Sequence, residues 1–275
     1  MKQPLLPPRL DETDDAAIAR FHARYGQLDL APVVVVIPAY EEEASIGAVL
    51  DELPSEACGL RMSCVVVVDG ETDRTASVAD EHGAYVASFT TNRGQGAAFR
   101  VGYAVARSSG ARFIVTTDAD GQYMGSDIEP VLAPVVAGDA DFSIGSRWLG
   151  RQETTDPIRR LGSRFFARLA TLLTGQRMTD TSSGLRAMTA AVTAAVTLRQ
   201  PQYQTSELLM EALGKGFRVV EVPMTMRKRT HGKTKKGWWA FYGPRYARVM
   251  VSTWLRDRPR VKRSRDSRLP RSTIT

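Results

Sequence analysis

With 275 residues, 43% of them hydrophobic and 24% charged, the chain can bury a core, and its 22 glycines and 14 prolines exclude collagen-like and low-complexity classes. Two cysteines, Cys58 and Cys64, are too few for a disulfide framework or a four-thiolate zinc site. No apolar run reaches the ~18 residues of a membrane span, so a cytoplasmic protein in a reducing compartment is expected. The formal charge of +7 divides unevenly: residues 227–275 carry 16 Lys/Arg against Asp257 and Asp266, and the other 226 residues are net negative. A basic end on an acidic body points to a local anionic partner, such as a membrane surface or a phosphate-bearing substrate.

Residues 1–31 read as an N-terminal extension, with a short amphipathic helix over 16–25. The β-branched run 33–37 is that of a strand buried on both faces of a parallel sheet. A helix over 42–53 follows, with Ile46, Val49, Leu50 and Leu53 on one stripe. Strands at 64–68, 84–88 and 112–117 alternate with helices at 72–82 and 95–107. This alternation predicts an α/β fold with a mostly parallel, doubly wound, Rossmann-like sheet and flanking helices. Then come a helix over 127–137, a strand over 141–144, a loop over 147–157, helices over 158–174 and 206–214, and a strand over 217–223. A final helix within 237–256 interleaves Trp238, Trp239, Phe241, Tyr242, Tyr246 and Trp254 with Arg245, Arg248 and Arg256. Such a basic amphipathic helix suits peripheral contact with a membrane. Residues 257–275 read as a basic disordered tail.

Ligands of open α/β sheets bind beyond the carboxyl ends of the strands, and here those ends are acidic. Pro38-Ala39-Tyr40-Glu41-Glu42 follows the first strand, Asp69-Gly70-Glu71-Thr72-Asp73 the second and Asp118-Ala119-Asp120-Gly121-Gln122 the fourth. Single clusters of this kind are often helix caps. Three on one rim, one of them in D-x-D spacing, suit a hard divalent cation, Mg2+ or Mn2+, which takes oxygen ligands and shares its remaining positions with phosphates. Asn92-Arg93-Gly94-Gln95-Gly96 opens a helix whose free N–H groups favour an anion. It is not a G-x-G-x-x-G fingerprint, so dinucleotide binding is disfavoured.

Taken together, V-V-V-I-P-A-Y-E-E, V-V-V-D-G-E-T-D, N-R-G-Q-G-A-A, T-D-A-D-G-Q and D-T-S-S-G-L-R-A resemble glycosyltransferase family 2 with its GT-A fold. Within it they are most similar to polyprenyl-phosphate glycosyltransferases of the dolichyl-phosphate mannose synthase type, over residues 32–236. The resemblance implies a metal-dependent, inverting transfer of a hexose from a GDP- or UDP-sugar to a polyprenyl monophosphate at the cytoplasmic face of a membrane. It places Pro38, Ala39, Tyr40, Glu42, Asp69, Gly94, Gln95, Asp118 and Ala119 around the nucleotide-sugar, and Asp118, Asp120 and Gln122 around the metal. Arg147, Arg159, Ser163, Arg229 and Lys233 fall near the acceptor phosphate, and Glu207 and Asp180 become candidates for sugar contact or base. Val68 and Glu71 depart from the family's second motif, leaving the base unspecified. Three other readings stand beside this one: transfer to a small soluble acceptor; a sugar-nucleotide pyrophosphorylase, disfavoured because no glycine-rich loop with a basic pair follows Ile37; and a non-enzymatic nucleic-acid-binding protein using the basic tail. The ordered acidic strand ends speak against nucleic acid, because a phosphate-binding face avoids them.

Overall fold

The computed structural model describes residues 12–153, 157–229 and 239–258, the side chains of 12, 157–159 and 239–242 excepted. In chain order the elements are α1 (Glu12–Tyr25), β1 (Val33–Ala39), α2 (Ile46–Asp51), β2 (Glu56–Ala57), β3 (Leu60–Asp69), α3 (Thr75–Glu81), β4 (Tyr85–Phe89), α4 (Gln95–Ser108), β5 (Phe113–Thr116), α5 (Ile128–Val136), β6 (Phe142–Gln152), α6 (Pro157–Thr174), β7 (Arg186–Thr189), α7 (Ala190–Ala195), α8 (Gln204–Gly214), β8 (Val219–Met226) and α9 (Trp239–Asp257). The sheet runs β2-β3-β1-β5-β7-β6-β8, with β4 also on β3. β1 is parallel to β3 and β5, β3 to β4, and β6 to β8. Every residue of β1 is buried, as its unbroken Val/Ile run requires for a strand covered by helices on both faces.

Besides the two-residue edge strand β2, antiparallel to β3, one strand interrupts the parallel order. β7 is antiparallel to both β5 and β6, with Arg186 opposite Thr116 and Ile144. Because β7 runs the other way, its first residue lies at the rim where β1, β3 and β5 end. The chain leading into it, residues 180–185, is therefore delivered to the same edge as the acidic strand ends. β6 corrects the loop expected over 147–157, because it continues to Gln152. A register shift between Ser146 and Arg151 lets its outer half pair with β8 again. The shift exposes Leu149 and Gly150, so this half lacks the apolar run of a buried strand.

Helices α1 and α9 both join the body. α1 buries Ala17 and Phe21, and Asp14 on it accepts a 2.6 Å bond from Arg100 Nε of α4. On α9, Tyr246, Val249, Met250 and Thr253 are buried, and Arg256 donates to Glu211 of α8 at 2.7 Å. Of the aromatic and basic residues expected to face a membrane, Tyr246, Trp254 and Arg256 are thus engaged in packing, while Arg245 and Arg248 are exposed. Trp238 and the basic tail, 259–275, lie outside the described residues, as do the side chains of Trp239, Phe241 and Tyr242. Among the described residues no helix is long and apolar enough to cross a membrane.

Candidate active site

A cavity of about 540 Å³ opens on the carboxyl rim of β1, β3 and β5. Pro38, Ala39, Tyr40, Glu42, Asp69, Gly94, Gln95, Asp118, Ala119, Asp120 and Gln122 line it, joined across the opening by Arg147 and Arg229. The strand ends explain this convergence. β1 stops at Ala39, and Glu41 takes φ of 51°, a left-handed conformation that costs a non-glycine residue about 1–3 kcal/mol and turns the chain across the rim. Glu42 is fixed behind it: its N–H donates to Thr75 Oγ1 at 2.9 Å and its carboxylate accepts from Ser45 Oγ at 2.9 Å.

Asp69 anchors the second wall. Its two oxygens accept the N–H groups of Arg93 and Gly94 at 2.6 and 2.7 Å. Burial raises the Asp69 carboxyl pKa above its usual value, opposed by those two bonds. The following glycines answer to packing. A Cβ on Gly94 would stand 2.6 Å from Pro201 O, and one on Gly96 would stand 2.1 Å from Gln200 O. Gly96 N itself donates to Pro201 O at 3.4 Å. The glycine pair expected to cradle an anion thus lets residues 200–201 lie against the start of α4, leaving Gly94 and Gln95 to face the cavity.

Asp118 and Asp120 follow β5 on the third wall. Asp120 accepts Gln122 N–H at 3.1 Å on one oxygen and Arg229 Nη2 at 2.5 Å on the other. The Gln122 amide nitrogen donates to Arg227 O at 3.2 Å, which ties the 227–229 segment over the acids. Asp118 has a cradle of its own. A Cβ on Gly184 would approach both of its carboxylate oxygens to 2.8 Å, so only glycine leaves them room. Gly184 is held there from two sides: its N–H donates to Tyr123 Oη at 2.7 Å and its carbonyl accepts from Thr116 Oγ1 at 2.7 Å. Two carboxylates on a fixed rim, with the Gln122 carbonyl beside them, are the hard oxygen donors Mg2+ or Mn2+ takes. Among the described residues no group of three or more His, Cys, Asp or Glu could hold a metal. A cation here would complete its shell with water and substrate oxygens.

Arg147 forms the opposite wall. Its Nε and Nη2 donate to the two oxygens of Asp180 at 2.6 and 2.9 Å, Nη2 also contacts Ser182 Oγ, and Nη1 meets Met226 Sδ at 3.3 Å. Asp180 is fully buried and the Arg147 side chain is 12% exposed. Burial works against both charges; the pairing prevails, raising the guanidinium pKa and lowering the carboxyl. Asp180 is in turn backed by Glu221, which accepts the N–H groups of Thr179 at 2.8 Å and Asp180 at 2.7 Å. A carboxylate so committed holds an arginine and is a poor proton acceptor.

The remaining expected residues lie elsewhere. Glu207 is fully buried behind the cavity; its Oε2 accepts Gln200 N–H at 2.9 Å, and Oε1 stands 3.7 Å from Arg256. Ser163 sits on α6 and donates to Arg160 O at 3.1 Å. The side chain of Arg159 and the whole of Lys233 lie outside the described residues. The segment Pro201–Thr205 lines the cavity without having been singled out in the sequence. Arg186, on β7, is fully buried and donates to Ser183 O at 2.7 Å, Thr205 O at 2.6 Å and Thr181 O at 3.1 Å. It fastens the 181–183 and 201–205 segments to each other. Tyr203, with φ of 67°, is a second left-handed non-glycine residue on the wall.

A model described as "Glycosyl transferase family 2" matches residues 34–196. The chain is 31% identical over 229 residues to a dolichyl-phosphate hexose transferase of Haloferax volcanii, covering 83% of this chain and 96% of that protein. It is 31% identical over 214 residues to a polyprenol monophosphomannose synthase of Mycolicibacterium smegmatis, covering 74% and 80%. Among solved structures, glucosyl-3-phosphoglycerate synthase from Mycobacterium tuberculosis, in complex with Mn2+, UDP and glucosyl-3-phosphoglycerate, matches with a TM-score of 0.60. Its identity is 19%, over 94% of this chain and 88% of that one. Mannosyl-3-phosphoglycerate synthase from Rubrobacter xylanophilus matches with a TM-score of 0.61 at 19% identity, over 92% and 82%. At such identities these two speak to the fold alone, which is GT-A.

Proposed function

This chain belongs to glycosyl transferase family 2 and is a glycosyltransferase, and from that premise we propose that it moves a hexose from a nucleotide-diphospho-sugar to a polyprenyl monophosphate, with inversion. The observation that carries this reading is the division of one cavity into an acidic rim, Asp69, Asp118 and Asp120, and a cationic wall, Arg147 and Arg229. The names of the Haloferax and Mycolicibacterium relatives support a polyprenyl-type phosphate as acceptor.

The nucleotide-sugar lies along the rim, its base and ribose against Pro38–Glu42, Asp69 and Asp118. Asp118, Asp120 and Gln122 would hold a divalent cation, which when bound supplies Lewis acidity to the departing diphosphate. Arg147 and Arg229 bind and orient the acceptor phosphate opposite the anomeric carbon, compensating its charge. A phosphate oxygen is anionic at neutral pH, so its attack needs no strong general base. This accords with the commitment of Asp180 to Arg147 and of Glu207 to Gln200 N–H.

The test is a thermal-shift panel of GDP-, UDP- and dTDP-sugars with and without Mn2+, followed by transfer assays on the donor that binds. Ligand binding to the native state raises apparent stability in proportion to the logarithm of ligand concentration over Kd. Asp120→Asn abolishes the Mn2+-dependent shift, whereas the exposed Arg151→Ala preserves it. Glycosylation of a phosphorylated soluble acid in place of polyprenyl phosphate would sink the lipid-acceptor reading and leave the donor site standing. Equal shifts in wild type and Asp120→Asn would remove the donor assignment itself.

A further inference from the structure

Helix α6 carries an apolar row on the side where a helix packed on a protein body is ordinarily polar. Leu161, Phe165 and Leu172 are 72%, 58% and 82% exposed. At about 100° per residue they fall within about 40° of arc, and the buried Ala170 lies about 180° from Leu161. The inner side is accounted for: Phe166 packs on Tyr246 of α9 with ring centroids 4.4 Å apart. The outer side meets nothing in the chain's described residues. Isolated exposed apolar residues are normal, whereas three aligned along one helix form a continuous row that water solvates poorly.

The charge on this helix is of one sign. Its 18 residues include four arginines and no acid. Arg160, Arg164 and Arg168, spaced i, i+4, i+8, are exposed and make a cationic rail along one flank of the apolar row. Arg164 and Arg160 lie over the ring of Trp148, at 4.6 and 5.6 Å from its centroid. Trp148 directly follows Arg147 of the cavity wall, so the rail begins beside the proposed acceptor site.

We propose that the outer face of α6 is a docking surface for an anionic lipid bilayer, lying flat with Leu161, Phe165 and Leu172 inserted among the acyl chains and the arginine rail on the headgroups. The inference deepens the lipid-acceptor reading and rests on it for why the surface belongs beside Arg147. Two rivals fit the pattern less well. A second copy seated on this face would bring two arginine rails together with no carboxylate on either helix. A nucleic acid would meet the rail and leave the apolar row in water. The face also differs from the one expected from the sequence, α9, where Tyr246, Trp254 and Arg256 pack on the body while Arg245, Arg248 and Leu255 stay exposed.

The experiment is co-sedimentation of the full chain with phosphatidylcholine vesicles, plain or doped with phosphatidylglycerol, alongside sedimentation velocity of the protein alone. Wild type binds the doped vesicles, and added salt weakens the binding. The combined variant Leu161→Gln, Phe165→Gln, Leu172→Gln loses at least about tenfold in partition, since a half-inserted apolar side chain contributes several-fold. Arg164→Gln with Arg168→Gln loses about 25-fold on doped vesicles, about fivefold per near-surface charge, with little change on plain ones. All these positions are exposed, and circular dichroism verifies that the variants fold. Absent binding by wild type, equal binding by wild type and the apolar variant, or a dimer that this variant dissolves would each overturn the proposal. Transfer to a water-soluble short-chain prenyl phosphate is read in parallel and should be unchanged in both variants. If no prenyl phosphate is glycosylated by any of the proteins, the acceptor reading fails, while the vesicle result still decides the surface.

Discussion

Replacing Asp180 with Asn removes the charge facing both donating nitrogens of Arg147 while preserving size. In the wild type the two contacts, 2.6 and 2.9 Å, are charge-assisted and shielded from water, the carboxylate being wholly buried and the arginine 12% exposed. Hydrogen bonds to charged groups contribute ~1.5–3 kcal/mol each, so two give roughly 3–6. An Asn carbonyl retains one neutral acceptor of about 1 kcal/mol, which leaves a net loss of about 2–5 kcal/mol. That matches the ~3–5 kcal/mol expected when one partner of a buried pair is deleted. At roughly 2–4 °C per kcal/mol for a domain of this size, Tm should fall by about 4–20 °C. Activity should fall about a hundredfold even at temperatures where the variant is folded, because an arginine displaced by about 1 Å no longer aligns the acceptor. The pH dependence follows from the lowered Asp180 pKa. A carboxylate acidified by folding adds stability above its unfolded pKa of about 3.9. That stability is lost as pH falls from there toward the folded value, so wild type and Asp180→Asn should converge below about pH 4. Urea titrations at pH 7 and in acid, with single-turnover transfer at pH 7, measure all three. A loss under about 1 kcal/mol with activity retained would refute the claim that this pair holds Arg147.

Gly184→Ala puts a methyl group 2.8 Å from both oxygens of Asp118 and should weaken the Mn2+-dependent thermal shift at least tenfold in metal concentration. Far-UV circular dichroism should stay unchanged, since Gly184 is absent from the glycines with φ in the left-handed region; an unaltered metal titration would dissociate Asp118 from the cation. Glu207→Gln retains an acceptor for Gln200 N–H and should keep kcat within about fivefold, whereas loss of a general base costs about a hundredfold or more. A drop of that larger size, with a pH profile losing one limb, would restore Glu207 as a proton acceptor.

Much of this rim was legible because its signals are local. The runs 33–37 and 64–68 declare buried parallel strands by composition, and the acids beyond them fall on the carboxyl edge by topology. What escaped was set by partners distant in the chain. β7 is four residues, Arg-Ala-Met-Thr, with no alternation of its own, and it becomes a strand because β5 and β6 flank it. The glycines of Asn92–Gly96 carry the right spacing for an anion site, yet their contacts are carbonyls of residues 200 and 201, about a hundred positions away. The role of Arg186 is likewise set by burial, which turns its donors to three backbone carbonyls. The left-handed turn at Tyr203 has no Gly or Asn to announce it.

The two arginines on the cavity wall are held in physically different ways, and this sets what each can do. Arg147 engages both oxygens of a buried carboxylate that is itself fixed by Glu221 through backbone N–H groups, so its direction is determined by the fold. Arg229 is more exposed, at 27%, and engages one oxygen of Asp120, a carboxylate that also belongs to the metal-ligand candidates. Its segment is tied to the rim through backbone: Arg227 N–H donates to Gln122 O at 2.8 Å, and Lys228 N–H to Glu153 at 3.1 Å. Losing the Asp120 contact would therefore leave Arg229 close to the cavity. With 27% of its side chain open to solvent, against 12% for Arg147, the Arg229 guanidinium is the more accessible of the two to phosphate oxygens at the mouth. In the proposed transfer Arg147 is thus the fixed point that orients an incoming phosphate, and Arg229 meets it at the mouth.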